Sequence, residues 1–318
     1  MKTATERVLR QAPTEPKAHQ ARMASLADSE RFVGAAMLAP AVLYILLLVA
    51  FPFFLALYYS LTNVTLGNRT LVFVGLRNFI NVVQTPQFQT ALKNTFVFTI
   101  FSQVIVVILA TTLGLVLHRD FRGKWFVRLL ILLPWVAPIS LGTIGWLWML
   151  DSIYSVINWT LRAVGIFGPQ TWPMWLGVPH LAMGSVIAVH VWRQLPLATI
   201  ILLAGLSSIP QDIHDAAEVD GAGFWRHLME ITLPLLQPIM TVAILFGVVF
   251  TFTDMIVIYV LTRGGPYDTT QVLASLAFFT GVNAGDLGQG AAISLFLFPV
   301  LVAAAFIFLR IARRSEIV

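Results

Sequence analysis

The amino-acid sequence predicts an all-α, polytopic membrane protein with six transmembrane helices. Only 11% of its 318 residues are charged and 58% are hydrophobic, whereas an ordinary soluble domain carries about 25% charged residues. The mean hydropathy of +0.83 agrees with that composition. A helix needs about 20 mostly apolar residues to cross the hydrocarbon, and six stretches of the chain meet this requirement.

The predicted spans cover residues 32–61, 95–117, 126–150, 181–206, 239–261 and 290–309. The first contains Pro40 and Pro52, so we expect it to be tilted or kinked. Its apolar run is too long for a cleaved signal peptide, and a polar tail precedes it. We therefore expect a tail at 1–31, a membrane domain at 32–314 with a long polar connection at 207–238, and a short end at 315–318.

The distribution of lysine and arginine predicts the orientation. Fourteen of the 20 lie in the N-terminal tail, the second and fourth connections and the C-terminal end. Five lie in the opposite connections, and Arg193 falls within a span. Because positive residues collect on the cytoplasmic side, both termini are predicted to be cytoplasmic, as an even number of spans also requires.

The sequence excludes several classes of function. The absence of cysteine rules out disulfides and thiolate metal sites. No segment has the form G-x-x-x-x-G-K-[ST], so the chain does not hydrolyse ATP through a P-loop. The histidines show no metal-ligand spacing, and the basic residues form no stripe interleaved with aromatics. We expect neither a metal site nor a nucleic-acid partner.

The connection between the fourth and fifth spans contains the segment DAAEVDGAGFWRHLMEITLP, residues 215–234. Ser208 is placed to cap a helix there, with Gln211 completing a capping box. Pro210 suits an early helical position, and Gly221 is a plausible helix stop. The resulting helix of about eleven residues, roughly 16 Å long, is too short to cross a membrane. One of its faces carries Ile213, Ala216, Ala217 and Asp220.

A second short amphipathic piece is expected at 224–231, ahead of Pro234. His214 and His227, which lie in this region, are expected to be surface residues. Two interpretations of the whole connection stay open on physical grounds. It is either an interfacial linker between two spans or a docking element for a cytoplasmic partner.

The same connection resembles the EAA loop of permease subunits in ATP-binding-cassette importers. The matching residues are Asp215-Ala216-Ala217, Asp220-Gly221-Ala222 and Ile231-x-Leu233-Pro234. Asp215 stands where the family usually has Glu, which shortens the reach of the charge by one methylene. The segments LHRDFRGKWFVRLLILLPWVAP, VWRQLPLATIILLAGLSSIP and IYVLTRGGPYDTT resemble carbohydrate permeases, the last one those of the MalF-like type. The resemblance covers roughly residues 32–314.

This resemblance implies the permease architecture of a type I importer and a function in sugar import in a prokaryotic plasma membrane. It implies a MalG-like second permease, a cytoplasmic ATPase dimer and an extracytoplasmic sugar-binding protein as partners. The chain itself would need no cofactor, because ATP and Mg²⁺ are used by the ATPase, and it would not be an enzyme. The residues implied in coupling to the ATPase are Asp215, Ala216, Ala217, Asp220, Gly221 and Ala222.

Two charged residues, Arg193 and Asp254, fall inside predicted spans. A charge at a lipid-facing helix centre costs about 2.5–3.5 kcal/mol on insertion scales, so both should face the bundle or a cavity. Two interpretations stay open: a structural contact, with each other or with a partner permease, or a position on the sugar path. Aromatic, amide and hydroxyl groups nearby extend the list of path candidates to Trp192, Arg193, Gln194, Thr253, Asp254 and Tyr259.

Other large or titratable residues in the spans have simpler interpretations. Trp135, Trp146 and Trp148 are expected in packing or interface positions. His190 is expected to be a core histidine, with the sugar path as the alternative.

An alternative function is that of a membrane-embedded enzyme acting on a lipid-linked sugar. Such an enzyme needs a cluster of Asp, Glu or His at a membrane–water face. The stretch 212–220 lacks the required histidine pair or second carboxylate-rich loop. A self-contained secondary transporter is a further option, but the sequence shows no internal repeat. The permease hypothesis therefore leads.

Overall fold

The computed structural model describes residues 30–68 and 70–315, and these residues form helices and connecting loops. Within this part of the chain, one isolated antiparallel bridge joins Thr62 and Phe73, and no longer strand is present. The predicted all-α class is confirmed. The chain divides into two compact units, one ending at Leu55 and the other beginning at Ala56.

The first apolar run extends over Phe32–Ser60, close to its predicted bounds. It consists of helix α1 (Glu30–Ile45), a π-helical turn (Leu46–Ala50) and helix α2 (Phe51–Ser60). Pro52 has no N–H to donate to the preceding turn, which is a common reason for a locally widened helix. None of the side chains in its most apolar window is buried within the chain, as expected for a helix that faces lipid or another subunit.

The second unit contains the remaining helices, which we number in chain order. They are α3 (Arg77–Val83), α4 (Pro86–His118), α5 (Lys124–Val136), α6 (Ile139–Met149), α7 (Val156–Ala163), α8 (Pro179–Ser208), α9 (Gln211–Val219), α10 (Phe224–Phe252), α11 (Ile256–Leu261), α12 (Leu273–Asn283), α13 (Leu287–Leu295) and α14 (Leu297–Ser315).

Among the described residues, five helical runs are long and apolar enough to cross a membrane. The number becomes six if the bent pair of α5 and α6 forms one span. The predicted fourth span corresponds to α8, and the predicted sixth lies within the run Leu287–Ile311.

Helix α4 begins nine residues before the predicted second span. Thr85 caps it by accepting a hydrogen bond from the Phe88 backbone N–H at 3.3 Å, and Pro86 occupies its first turn. Polar residues in its first two turns lower the local hydropathy, although they do not hinder helix formation. Hydropathy therefore marked the apolar part of the helix and missed its start.

The predicted third span over 126–150 is not one continuous helix. The segment forms α5 and α6, whose axes meet at 97°. The bend lies at Ala137, which has an extended conformation (φ −65°, ψ 137°), followed by Pro138. A residue before proline is disfavoured in the helical region, and the proline itself contributes no N–H.

The predicted fifth span over 239–261 was wrong at both ends. Helix α10 begins at Phe224 and continues through a π-helical turn at His227–Thr232. Pro234 lies in the first turn that follows, where its missing N–H does not end the helix. At the other end α10 stops at Phe252, and the chain resumes as α11 after Asp254.

The two longest helices of the second unit, α4 and α8, pack side by side and form its centre. Helix α10 packs against both. Gly205 lets α8 and α10 approach closely, because a Cβ atom there would lie 2.9 Å from side-chain atoms of Leu236 and Ile239. A buried cluster between these helices comprises Val106, Ala110, Val191, Ala198, Leu202 and Ala243.

Candidate functional site

The connection between α8 and α10 is a short helix, α9, flanked by two tight bends. Pro210 occupies its N-cap position with an extended backbone (φ −59°, ψ 139°). The predicted capping box was wrong. Ser208 belongs to the last turn of α8, and its hydroxyl donates to the Gly205 carbonyl at 2.7 Å. The side chain of Gln211 instead donates to the Asp215 carboxylate at 2.9 Å.

The C-terminal end of α9 depends on Gly221. This glycine has a left-handed backbone (φ +71°), and its N–H donates to the Glu218 carbonyl at 3.0 Å. The next N–H, of Ala222, donates to the Ala217 carbonyl at 2.9 Å. Since a left-handed residue at this point is nearly free of cost only for glycine, Gly221 fixes the turn from α9 into α10.

The alanine pair of α9 faces two environments. Ala217 is buried against the rest of the chain, with 5% of its surface exposed. Ala216 is exposed, as are Asp215 and Asp220. The two alanines, predicted on one face, therefore have different surroundings.

Large apolar side chains on α9 and on the turns that follow it are exposed. Val219 is 88% exposed, and Phe224, Trp225 and Met229 also lie open to the outside. The short piece expected over 224–231 is helical, and it continues without interruption into the rest of α10.

A cavity of about 460 Å³ lies beneath α9. Its lining includes His118, Arg119, His214, Glu218, His227 and Thr232. His214 and His227 are only partly exposed, and their ring nitrogens Nδ1 and Nε2 lie 2.9 Å apart. Both rings thus keep part of their surface exposed, and they also contact each other.

The second candidate region is a buried polar network between α8 and the break after α10. Asp254 lies at this break, and its Oδ2 accepts hydrogen bonds from Arg193 at 3.0 Å and from Nδ1 of His190 at 2.8 Å. Its Oδ1 accepts from the Ile256 backbone N–H at 2.9 Å, which satisfies the start of α11. One carboxylate thus joins α8 to both sides of the helix break.

Helix α4 extends this network. Thr251 accepts a hydrogen bond from the amide of Gln103 at 2.7 Å, and it lies 2.8 Å from Nε2 of His190. The absence of a side chain at Gly247 leaves room for the Gln103 amide. Three helices are therefore connected through polar groups in a region where an unpaired polar group is expensive.

The other sequence-predicted path residues make contacts of their own. The Trp192 ring packs edge-on against Trp146, with ring centroids 5.6 Å apart. Thr253 is exposed and donates to the Val249 carbonyl, and Tyr259 packs against phenylalanine rings of α12. Gln194 is buried, and its Oε1 has no hydrogen-bond partner among the described residues.

Sequence reasoning identified Arg193 and Asp254 but missed Gln103 and Thr251 as their neighbours. Helical spacing indicated part of this network. His190 and Arg193 are three residues apart and share a face of α8, and Thr251 and Asp254 have the same spacing. No local pattern in the sequence indicated that α4 contributes Gln103 to the network. Among the described residues, no group of three or more His, Asp or Glu is arranged to hold a metal ion.

Long apolar helices joined by a short polar helix define a polytopic, all-helical membrane protein. Residues 104–316 match the family described as the binding-protein-dependent transport system inner membrane component. The chain belongs to this family, and it is a permease subunit rather than an enzyme. The comparisons give no support to the alternative of an enzyme acting on a lipid-linked sugar.

Named relatives cover nearly the whole chain. It is 32% identical over 284 residues to the trehalose/maltose transport system permease protein MalF of Thermococcus litoralis, covering 89% of this chain and 95% of that protein. It is 33% identical to the trehalose transport system permease protein SugA of Mycobacterium tuberculosis, covering 89% of each.

The fold is also similar to a chain in the crystal structure of a bacterial alginate ABC transporter in complex with an alginate pentasaccharide-bound periplasmic protein. The TM-score is 0.76 at 21% identity, over 89% of this chain and 94% of that one. The predicted permease architecture is confirmed by this likeness.

Proposed function

We propose that this chain forms half of the translocation pathway of an ATP-driven sugar importer and couples to a cytoplasmic ATPase through the loop at 207–238. Its membership of the permease family and the sugars named for its relatives support the substrate class. The observation that carries the coupling role is α9, a short exposed helix held between α8 and α10.

The proposal includes the orientation and the partners. Both termini lie in the cytoplasm of a prokaryotic cell, with the tail at 1–31 and the end at 315–318 on the same side as α9. Residues 1–29 and 316–318 lie outside the described part of the chain. The partners are a second, MalG-like permease, an ATPase dimer that uses ATP and Mg²⁺, and an extracytoplasmic sugar-binding protein.

Helix α9 is suited to transmit a movement because both of its ends continue directly into long helices. Two residues separate it from α8, and Gly221 turns the chain back toward α10. A force on the exposed face of α9 therefore reaches two helices that also pack on each other. The residues that we assign to this coupling are Asp215, Ala216, Ala217, Asp220, Gly221 and Ala222.

We assign different roles to the charged pair and to its neighbours. Arg193 and Asp254 hold α8 against the break between α10 and α11, a structural role supported by the near-complete burial of Asp254. Among the path candidates, Gln194 offers a buried amide oxygen without a partner. Trp192, Thr253 and Tyr259 remain candidates as groups able to stack on a sugar or hydrogen-bond to it.

The coupling role is tested by comparing two proline variants in a complex reconstituted from the permease pair, ATPase and binding protein. Gly221→Pro is incompatible with φ +71° and removes the N–H that ends α9. Gly223→Pro is the matched control, because Gly223 has φ −68° and open space around its Cβ position. We expect Gly221→Pro to abolish ATP-driven uptake of labelled sugar while the protein still inserts, and Gly223→Pro to retain it.

Asp215→Lys adds a second variant that keeps the backbone intact and reverses an exposed charge. We expect it to lose uptake as well. Normal uptake by both Gly221→Pro and Asp215→Lys would contradict the coupling role of this loop.

A further inference from the structure

His214 of α9 is in direct contact with His227 of α10. Their rings are tilted by 30° with centroids 4.9 Å apart, and His214 Nδ1 lies 2.9 Å from His227 Nε2. The other nitrogen of His227 lies 3.3 Å from the Thr232 hydroxyl. Within the described part of the chain, this is the one side-chain hydrogen bond that joins α9 to α10.

A hydrogen bond between two imidazole nitrogens needs one N–H and one lone pair. When both rings are protonated, neither of the two facing nitrogens has a lone pair left to accept. Two N–H groups and two positive charges then face each other at the same distance. The contact therefore exists only while at least one of the rings is neutral. Histidine is the side chain whose ordinary pKa, near 6.5, brings this change close to physiological pH.

The groups around His214 favour the neutral ring. Burial lowers the pKa of His214 below its ordinary value, and the nearby His227 and His118 lower it further. The carboxylates of Asp215 and Glu218 oppose this shift without reversing it. Arg119, at the end of α4, adds another positive charge to the same cavity. On α10, the charges of Arg226 and Glu230 are paired with each other at 3.0 Å.

The lowered pKa of His214 sets the pH range in which its contact with His227 stabilises α9. Because the pKa of His214 is lowered while α9 is in place, this histidine stabilises the held position of α9 relative to the released one fully above about pH 6.5. That stability is lost as the pH falls from there toward the lowered pKa, since any state in which α9 is released binds protons more readily.

We propose that His214 and His227 form a pH-sensitive latch, which holds α9 in position at neutral pH and releases it when the cytoplasm is acidified. Release loosens the surface that receives the ATPase, and uptake stops. This inference rests on the proposed coupling role of α9. It assigns to the loop a regulatory function that coupling by itself does not require.

The test measures the affinity of the ATPase for the detergent-solubilised permease pair between pH 7.5 and pH 5.5. His227→Gln places an uncharged amide nitrogen near the Nε2 position, and His214→Asn does the same for Nδ1, so each variant keeps a donor that does not titrate. His180→Gln, at the start of α8, is the matched control. Because the same ATPase is used throughout, any pH dependence of the ATPase's own ionisable groups affects all four measurements equally.

We expect wild type and His180→Gln to lose up to about tenfold more affinity on acidification than His227→Gln and His214→Asn, the factor that the loss of one hydrogen bond represents at most. Equal pH dependence in all four proteins would overturn the latch while leaving the coupling role intact. Absence of ATPase binding at every pH in wild type would instead overturn the proposed function, and the latch with it.

Discussion

Replacement of Asp254 by Asn tests the buried network most severely. The substitution keeps Oδ1 for the Ile256 N–H but turns Oδ2 into an NH₂ group, which then faces the donors of Arg193 and His190. Removing one partner of a buried ion pair costs about 3–5 kcal/mol, because the other charge is left uncompensated. The Arg193 side chain is 22% exposed and keeps part of its hydration, so we expect about 3 kcal/mol.

The measurement is a denaturant titration of the purified protein in mixed micelles. The control is Asp120→Asn, which removes a solvent-exposed carboxylate paired with Lys124 and should leave the free energy of unfolding nearly unchanged. Adding Arg193→Met to Asp254→Asn removes the stranded charge and should recover at least about 1 kcal/mol. A loss below about 1 kcal/mol for Asp254→Asn, or strict additivity in this cycle, would refute the structural role of the pair.

Two further substitutions test neighbouring contacts. Gly247→Ala places a methyl group against the Gln103 amide and should destabilise the protein by about 1–3 kcal/mol in the same titration. The control Gly184→Ala fills open space and should be nearly neutral, so equal effects of the two would contradict the packing. Asn94→Ala removes an amide nitrogen that lies 3.0–3.2 Å from three carbonyls of the loop 268–271. We expect faster proteolysis of that loop, and an unchanged cleavage rate would show that these bonds do not hold it.

The fold was predictable from the sequence where one physical requirement dominated. Long apolar runs located α4 and α8, because a membrane helix must be apolar over its length. The same criterion failed over 126–150, where Pro138 changes the chain direction while hydropathy stays high. It failed again after Phe252, because an apolar average hides the break at Asp254.

The candidate site was predictable to the same limited extent. Gly221 was identified as a helix stop from residue type, and it has the left-handed backbone that this role needs. The partners Gln103 and Thr251 were missed because contacts between helices far apart in sequence depend on how the helices rotate in the bundle. For the same reason, the contact between His214 and His227 could not be predicted from the sequence.

In the proposed complex, α9 receives the ATPase on the cytoplasmic side of the membrane. The chain contains no cysteine, so Ala216→Cys introduces a single thiol at an exposed position of this helix. Cross-linking in the assembled, transport-active complex should join this thiol to the ATPase, and an impermeant thiol reagent should reach it only from the cytoplasmic side. The control, Tyr154→Cys on the opposite connection, should react only from outside. Labelling of Ala216→Cys from outside, or an active complex in which no ATPase is cross-linked to it, would contradict the account.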